Sequence, residues 1–134
     1  MSYIDFSTGE HVNVVVIDEQ HENIADIIND IYNSLQKKDI ALLKILLNKF
    51  IEQVETHFET EEKLMKEKNF EGYFSHKLEH DRFYNQLVQT VDKFKKSDEA
   101  IDIEKMASFK RWFFNHIEIK DKKCGEFLNS IGIK

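Results

Sequence analysis

The sequence predicts an all-α protein: an antiparallel up-down-up-down four-helix bundle preceded by an N-terminal arm. Three observations carry that prediction. The 134 residues contain no proline and only four glycines, the two residues that most often break helices. From Asp18 onward, apolar residues recur at spacings of three and four. Short polar breaks divide this pattern into four stretches, and short connections force successive helices to run antiparallel.

Residues 1–17 show no helical period and form the expected arm. Within it Gly9 marks a turn, and Val14 to Ile17 make a short apolar run that would lie across the bundle. The first helix is expected over about 18–37, with His21, Ile24, Ile28, Ile31 and Leu35 on one face. Lys37-Lys38-Asp39 breaks the pattern, and Asp39 is suited to cap a second helix over about 40–67. That helix carries Leu43, Leu46, Phe50, Val54, His57, Glu61 and Met65, and Asn69 is a stop signal. A third helix, about 71–96, carries Tyr73, His76, His80, Phe83, Leu87, Val91 and Phe94. After the break at Lys96-Ser97-Asp98, a fourth runs over about 102–130 with Ile103, Met106, Phe109, Trp112 or Phe113, and His116 on its stripe. No linker or repeat divides the chain, so residues 1–134 are expected to form one domain.

Composition narrows the function classes. The formal net charge is −6, which gives no reason to expect nucleic acid or an anionic membrane as partner. No apolar run approaches a membrane span, and Met1 to Asp5 lack the basic-then-apolar pattern of a signal peptide. One cysteine, Cys124, allows no internal disulfide and fits a reducing cytoplasm. It reads as a small buried hydrophobe.

The histidines carry the chemistry. A lone histidine on an apolar stripe is most often a core residue with a satisfied hydrogen bond. Here five of six lie on inward faces, and a carboxylate accompanies them on two of the helices. His57 and Glu61 sit one turn apart on the same face, and His76 and His80 repeat that geometry. Their heights agree when the chain is folded at its turns. His21 lies 17 residues before Lys38 and His57 lies 19 after it. Glu61 lies 8 before Asn69 and His76 lies 7 after; His80 lies 18 before Asp98 and His116 lies 18 after. All four helices therefore bring histidine to one layer, where the imidazoles would form a costly polar hole unless something binds them.

That donor set exceeds the four ligands of a structural zinc site. It suits two octahedral-leaning ions, and imidazole with carboxylate points to iron ahead of manganese or zinc. The His-Glu-x-x-His pattern of zinc proteases is absent, and no histidine has glutamate three residues before it, as carboxylate-rich di-iron bundles do.

Four motifs resemble the hemerythrin family, specifically its single-domain bacterial members, the bacteriohemerythrins. They are Asp18-Glu19-Gln20-His21, then His57-Phe58-x-x-Glu61-Glu62, then His76-x-x-x-His80-Asp81-x-Phe83, then Trp112-x-x-x-His116-Ile117-x-x-x-Asp121. The resemblance implies two iron ions in a non-haem, oxo- or hydroxo-bridged di-iron centre. His76, His80 and His116 would bind one iron, His21 and His57 the other, and Glu61 and Asp121 would bridge them. It also implies an apolar oxygen pocket of Ile24, Phe58, Trp112, Ile117 and Ile119, and reversible dioxygen binding for carriage, storage or delivery. No catalytic residue is implied. A sensor acting through a separate protein partner, and a di-iron oxidase or a protein that detoxifies peroxide or nitric oxide, are the alternative readings.

One spacing has a structural consequence. His116 and Asp121 are five apart, which in a regular α-helix turns the second side chain about 140° off the first face. Both can reach one site only if the helix ends, bends or holds a π-bulge within 116–121. Around the histidines, the free ring nitrogens need acceptors. Asp18 is a candidate, though capping the first helix is its expected role. Glu62 is a further candidate, though a solvated charge is its expected role, and His11 reads as a surface residue.

Overall fold

The computed structural model describes residues 10–97 and 103–134. Gly9, Asp98, Asp102 and the first part of the arm lie outside that range. Among the described residues there is no strand. Helices α1 (Val15–Lys37), α2 (Ile40–Glu67), α3 (Tyr73–Ser97) and α4 (Ile103–His116) form the bundle. A π-helical segment, Ile117–Asp121, then leads directly into α5 (Lys122–Ser130).

The first helix begins three residues before the expected start. The Val14–Ile17 run belongs mostly to the helix and not to an arm crossing it. Val14 and Ile17 are buried while Val15 and Val16 are exposed, so Val14, Ile17, His21 and Ile24 already follow the helical period. The two exposed valines masked it. Asp18 consequently does not cap α1. Its carboxylate turns back to accept hydrogen bonds from the backbone N–H of Val12 (2.8 Å) and Asn13 (3.1 Å). The end of the arm is thereby tied to the first turn. Val12 also presses on α5: a Cβ at Gly125 would stand 2.6 Å from its carbonyl oxygen, so only glycine admits this approach.

The turns are built from the residues the sequence offers. Lys38 adopts a left-handed conformation (φ 56°), with Lys38 N–H bonded to Leu35 O and Asp39 N–H to Ser34 O. Asp39 then caps α2 by accepting from Leu42 N–H at 3.1 Å. Asn69, also left-handed (φ 58°), closes α2 with Phe70 N–H on Met65 O. The third helix starts at Tyr73, two residues later than its periodicity suggests, because Phe70 to Gly72 complete this turn.

One half of the interior is apolar. Phe50 and Phe109 meet at 6.1 Å between ring centres, surrounded by Leu43, Leu47, Leu87, Val91 and Met106, all essentially sealed from water. Burying each such side chain contributes about 1.5–3 kcal/mol. The other half holds the histidines.

Candidate metal centre

Each of the four bundle helices, α1 to α4, contributes to one buried layer. His21 comes from α1, His57 and Glu61 from α2, His76 and His80 from α3, His116 from the last residue of α4 and Asp121 from the end of the π segment. All seven are at most 3% exposed. The π segment solves the spacing problem. Lys122 N–H bonds to Ile117 O, five residues back, so the turn is widened by one residue. Asp121 thereby faces the layer, with Oδ1 3.0 Å from His116 Nε2.

The donor atoms converge. Asp121 Oδ1 also lies 2.9 Å from His76 Nε2, and its Oδ2 lies 2.9 Å from His21 Nε2. Glu61 Oε1 lies 2.5 Å from His57 Nε2, and Oε2 lies 3.4 Å from His76 Nε2. His116 Nε2 stands 3.1 Å from His76 Nε2 and 3.0 Å from His80 Nε2. Two groups could each hold an ion: Glu61, His76, His80, His116 and Asp121, and His21, His57, Glu61 and Asp121. Within each, the donor atoms lie within 4.8 Å of one another. The groups share both carboxylates.

The carboxylate oxygens are close to these nitrogens without bonding them. Both oxygens of Glu61, both of Asp121 and Nε2 of His57 are buried and meet no partner in hydrogen-bonding geometry. Leaving so many buried polar atoms unsatisfied would cost on the order of 1–3 kcal/mol apiece. Inward-aimed lone pairs around a common point are what cations require, so the residues fit a pair of metal ions. Imidazole and carboxylate donors are those iron accepts.

Electrostatics agree. Burial pushes the Glu61 carboxyl up to about 8, helped by the neighbouring Asp121 charge. Burial pushes His57 down to about 4 against the pull of Asp121. His80 is driven down by burial and by the neighbouring His116 and His76. Burial also opposes charge on His116, but Asp121, Glu61 and Glu79 outweigh it and hold that imidazole at about 9. Burial alone would raise Asp121; His116, His21 and His76 instead hold it well below the carboxylate range. The layer strains some groups toward neutrality and others toward charge, a conflict that added positive charge relieves.

Three of the histidines are held from behind, each by the preceding helix. His57 Nδ1 donates to Gln20 Oε1 at 2.8 Å, His80 Nδ1 to Glu62 Oε2 at 2.9 Å and His116 Nδ1 to Glu79 Oε1 at 3.0 Å. The amide orientation of Gln20 follows from its other contact. The Thr60 hydroxyl gives its proton to Thr56 O, so it must accept from Gln20 Nε2 (3.0 Å), leaving Gln20 Oε1 to accept from His57. In all three rings Nδ1 is thereby held outward and Nε2 points into the layer, where it can serve as a ligand. Glu62 is therefore not the solvated charge expected from sequence, and Asp18 is not an acceptor for a histidine. Gln20 and Glu79 were missed; their only sequence signal is adjacency to His21 and His80.

A cavity of about 10 Å³, room for roughly one water-sized molecule, lies beside His21, His57, His116 and Asp121. Ile24, Phe58 and Trp112 line it, together with Phe50, Val54, Phe83 and Phe113, which the sequence offered only as core. Two pocket expectations need correction. Ile117 is buried but is not among the lining residues. Ile119 is 56% exposed, because the π segment turns 117 and 121 inward and leaves 119 on the outer face. Aromatic rings brace the site: Phe58 stacks on His80 at 3.8 Å, and Trp112 stacks on both His116 and Phe83. Cys124 is fully buried, and burial pushes its thiol well up, as a passive packing residue requires.

Comparison with known proteins agrees with this geometry. A family model described as "Hemerythrin HHE cation binding domain" matches residues 12–128. A bacteriohemerythrin of Aquifex aeolicus (strain VF5) is 31% identical over 121 residues, covering 89% of this chain and 92% of the relative. A myohemerythrin of Theromyzon tessulatum is 30% identical over 107 residues, covering 80% of this chain and 78% of the relative. A crystal structure of wild-type hemerythrin superposes with a TM-score of 0.89 at 25% identity, covering 93% of this chain and 97% of the other.

Proposed function

Because the chain belongs to the hemerythrin family, we propose that its buried layer binds dioxygen reversibly at a non-haem di-iron centre. The observation that carries this reading is the pair of donor groups sharing Glu61 and Asp121, set beside a dry cavity the size of a small molecule. In the ligand set we assign, His76, His80 and His116 serve one iron, His21 and His57 the other, and Glu61 and Asp121 serve both. When bound, the iron pair supplies the electrons that dioxygen needs to be held. The two-histidine group has fewer donors, and both of its histidines, His21 and His57, border the cavity, as His116 alone does from the other group's three.

The chain's own residues do the rest. Gln20, Glu62 and Glu79 orient the imidazoles. Ile24, Phe50, Val54, Phe58, Phe83 and Phe113 exclude water, which withholds the protons that would release a reduced oxygen species. Walls of this kind favour holding a diatomic over transforming a larger substrate, so we read the protein as an oxygen binder for carriage, storage or delivery and not as an enzyme. Among the described residues no helix is long and apolar enough to cross a membrane; with its lone reduced thiol, the chain suits the cytoplasm.

The test is direct. The iron-loaded protein is reduced without air, then taken through several argon–oxygen cycles while the visible spectrum is followed. A charge-transfer band that appears with oxygen and vanishes under argon is expected. One irreversible oxidation on first exposure would overturn the reading.

A further inference from the structure

The acceptors behind the histidines differ in charge between the two halves of the centre. Glu62 and Glu79 stand behind His80 and His116, both in the three-histidine group. Gln20, a neutral amide, stands behind His57 in the other. We propose that Glu62 and Glu79 are positioning residues that fix His80 and His116 and lower the reduction potential of the three-histidine half, a bias that Gln20 does not give the two-histidine half. The proposal rests on the di-iron reading above.

The physics is that of a polarised ligand. A carboxylate accepting the Nδ1 proton pushes electron density through the ring and makes Nε2 the stronger donor. The carboxylate also adds its own negative potential near the metal. Both effects favour the higher cation charge. An amide oxygen orients the ring equally well but does little of either. The charges are partly tempered: Lys77 Nζ lies 3.8 Å from Glu62, and Lys120 Nζ lies 3.8 Å from Glu79. Neither lysine is devoted to that role. Lys77 is bonded more closely to Asp81 (2.9 Å), and Lys120 donates to Ser75 Oγ at 2.7 Å. The geometry thus places a carboxylate behind each of two rings in the three-histidine half and a neutral amide behind His57.

Glutamine and glutamate are the discriminating substitutions, because both accept from Nδ1 and only one carries charge. The full-length iron-loaded protein and its Glu62→Gln, Glu79→Gln and Gln20→Glu variants are compared by spectroelectrochemistry, with iron counted in every sample. Glu104→Gln, at the exposed start of α4, is the control for general surface charge. Glu62→Gln and Glu79→Gln should each shift a midpoint to more positive potential, the double variant by about the sum of the two. Gln20→Glu should shift one to more negative potential, and Glu104→Gln should shift neither. The proposal is overturned if the glutamine variants keep two irons per chain and titrate with the control. It is overturned equally if Gln20→Glu, which leaves both glutamates in place, fails to lower a midpoint. A wild-type chain that takes up no iron pair is a different result, and sinks the di-iron reading itself.

Discussion

Phe50, Leu87, Met106 and Phe109 in one half of the bundle and His21, Glu61, His80 and Asp121 in the other are equally dry, all at most 1% exposed. The apolar half is complete in itself. Among the described residues its one buried polar side chain, Ser34, is satisfied locally by Ile31 O at 2.9 Å. The histidine layer is not complete: its carboxylate oxygens find no hydrogen-bonding partner among the side chains around them. The same burial that stabilises the first half therefore costs free energy in the second unless cations occupy it. The bundle is a scaffold stabilised at one end so that the other can be held open for metal.

The comparison is broken most sharply by substituting one residue from each half. Phe109→Ala should cost about 3–5 kcal/mol in denaturant unfolding, whether iron is present or has been removed. Glu61→Gln should abolish stable loading of two irons and the oxygen-dependent band, yet leave the iron-free protein as stable as before or more so, since it removes a buried carboxyl group under strain. Equal losses from Glu61→Gln in both forms would show that the layer is an ordinary structural core.

The next effect is protonic. In protein stripped of metal, Glu61 is held at about 8 and His116 at about 9, so both carry protons at neutral pH. Metal must displace them. Loading near neutral pH should release protons, detectable with an indicator dye, and metal affinity should fall as pH drops below this range. The stability of the stripped protein runs the other way. Both values are raised above the ordinary 4.5 and 6.5, so each group's contribution is full below its ordinary value and is lost as pH rises through 8 and 9. His57, pushed down to about 4, contributes with the opposite sign: present above 6.5 and lost as pH falls through 4. Stripped protein whose stability rises steadily from pH 7 to 9 would contradict this picture.

The smallest effect lies outside both halves. Gly125→Ala places a methyl group against Val12 and should cost about 1–3 kcal/mol, loosening the arm without altering iron content. Faster amide exchange at Val12 and Asn13 in the variant would register it.

The sequence made the bundle and the donors legible for different reasons. The helices follow from a period that solvent and core impose on every turn, and only the Val14–Ile17 run, where β-branched residues face both ways, hid it. His21, His57, His76, His80 and His116 share a layer because the offsets about each turn are nearly equal, which is arithmetic on the chain. Other features escaped because they depend on more than spacing. Ile119 lies within the π segment, where a constant helical angle no longer predicts which way a residue faces. Gln20, Glu62 and Glu79 look like the polar residues of any solvated face. Whether such a side chain reaches the neighbouring imidazole depends on how two helices cross and on its own rotamer, and neither is written in the spacing.

The π segment has a consequence beyond bringing Asp121 to the layer. By taking up one extra residue in a widened turn, it sets the phase of everything after it, including the α5 face on which Cys124, Gly125 and Leu128 turn inward. Were the same residues wound as a regular α-helix, with none removed, α5 would be rotated by about 100° relative to the bundle. Asp121 would leave the layer and Gly125 would leave Val12 in the same stroke. One widened turn thus keeps the metal layer and the fastening of the chain's N-terminal arm in register with each other.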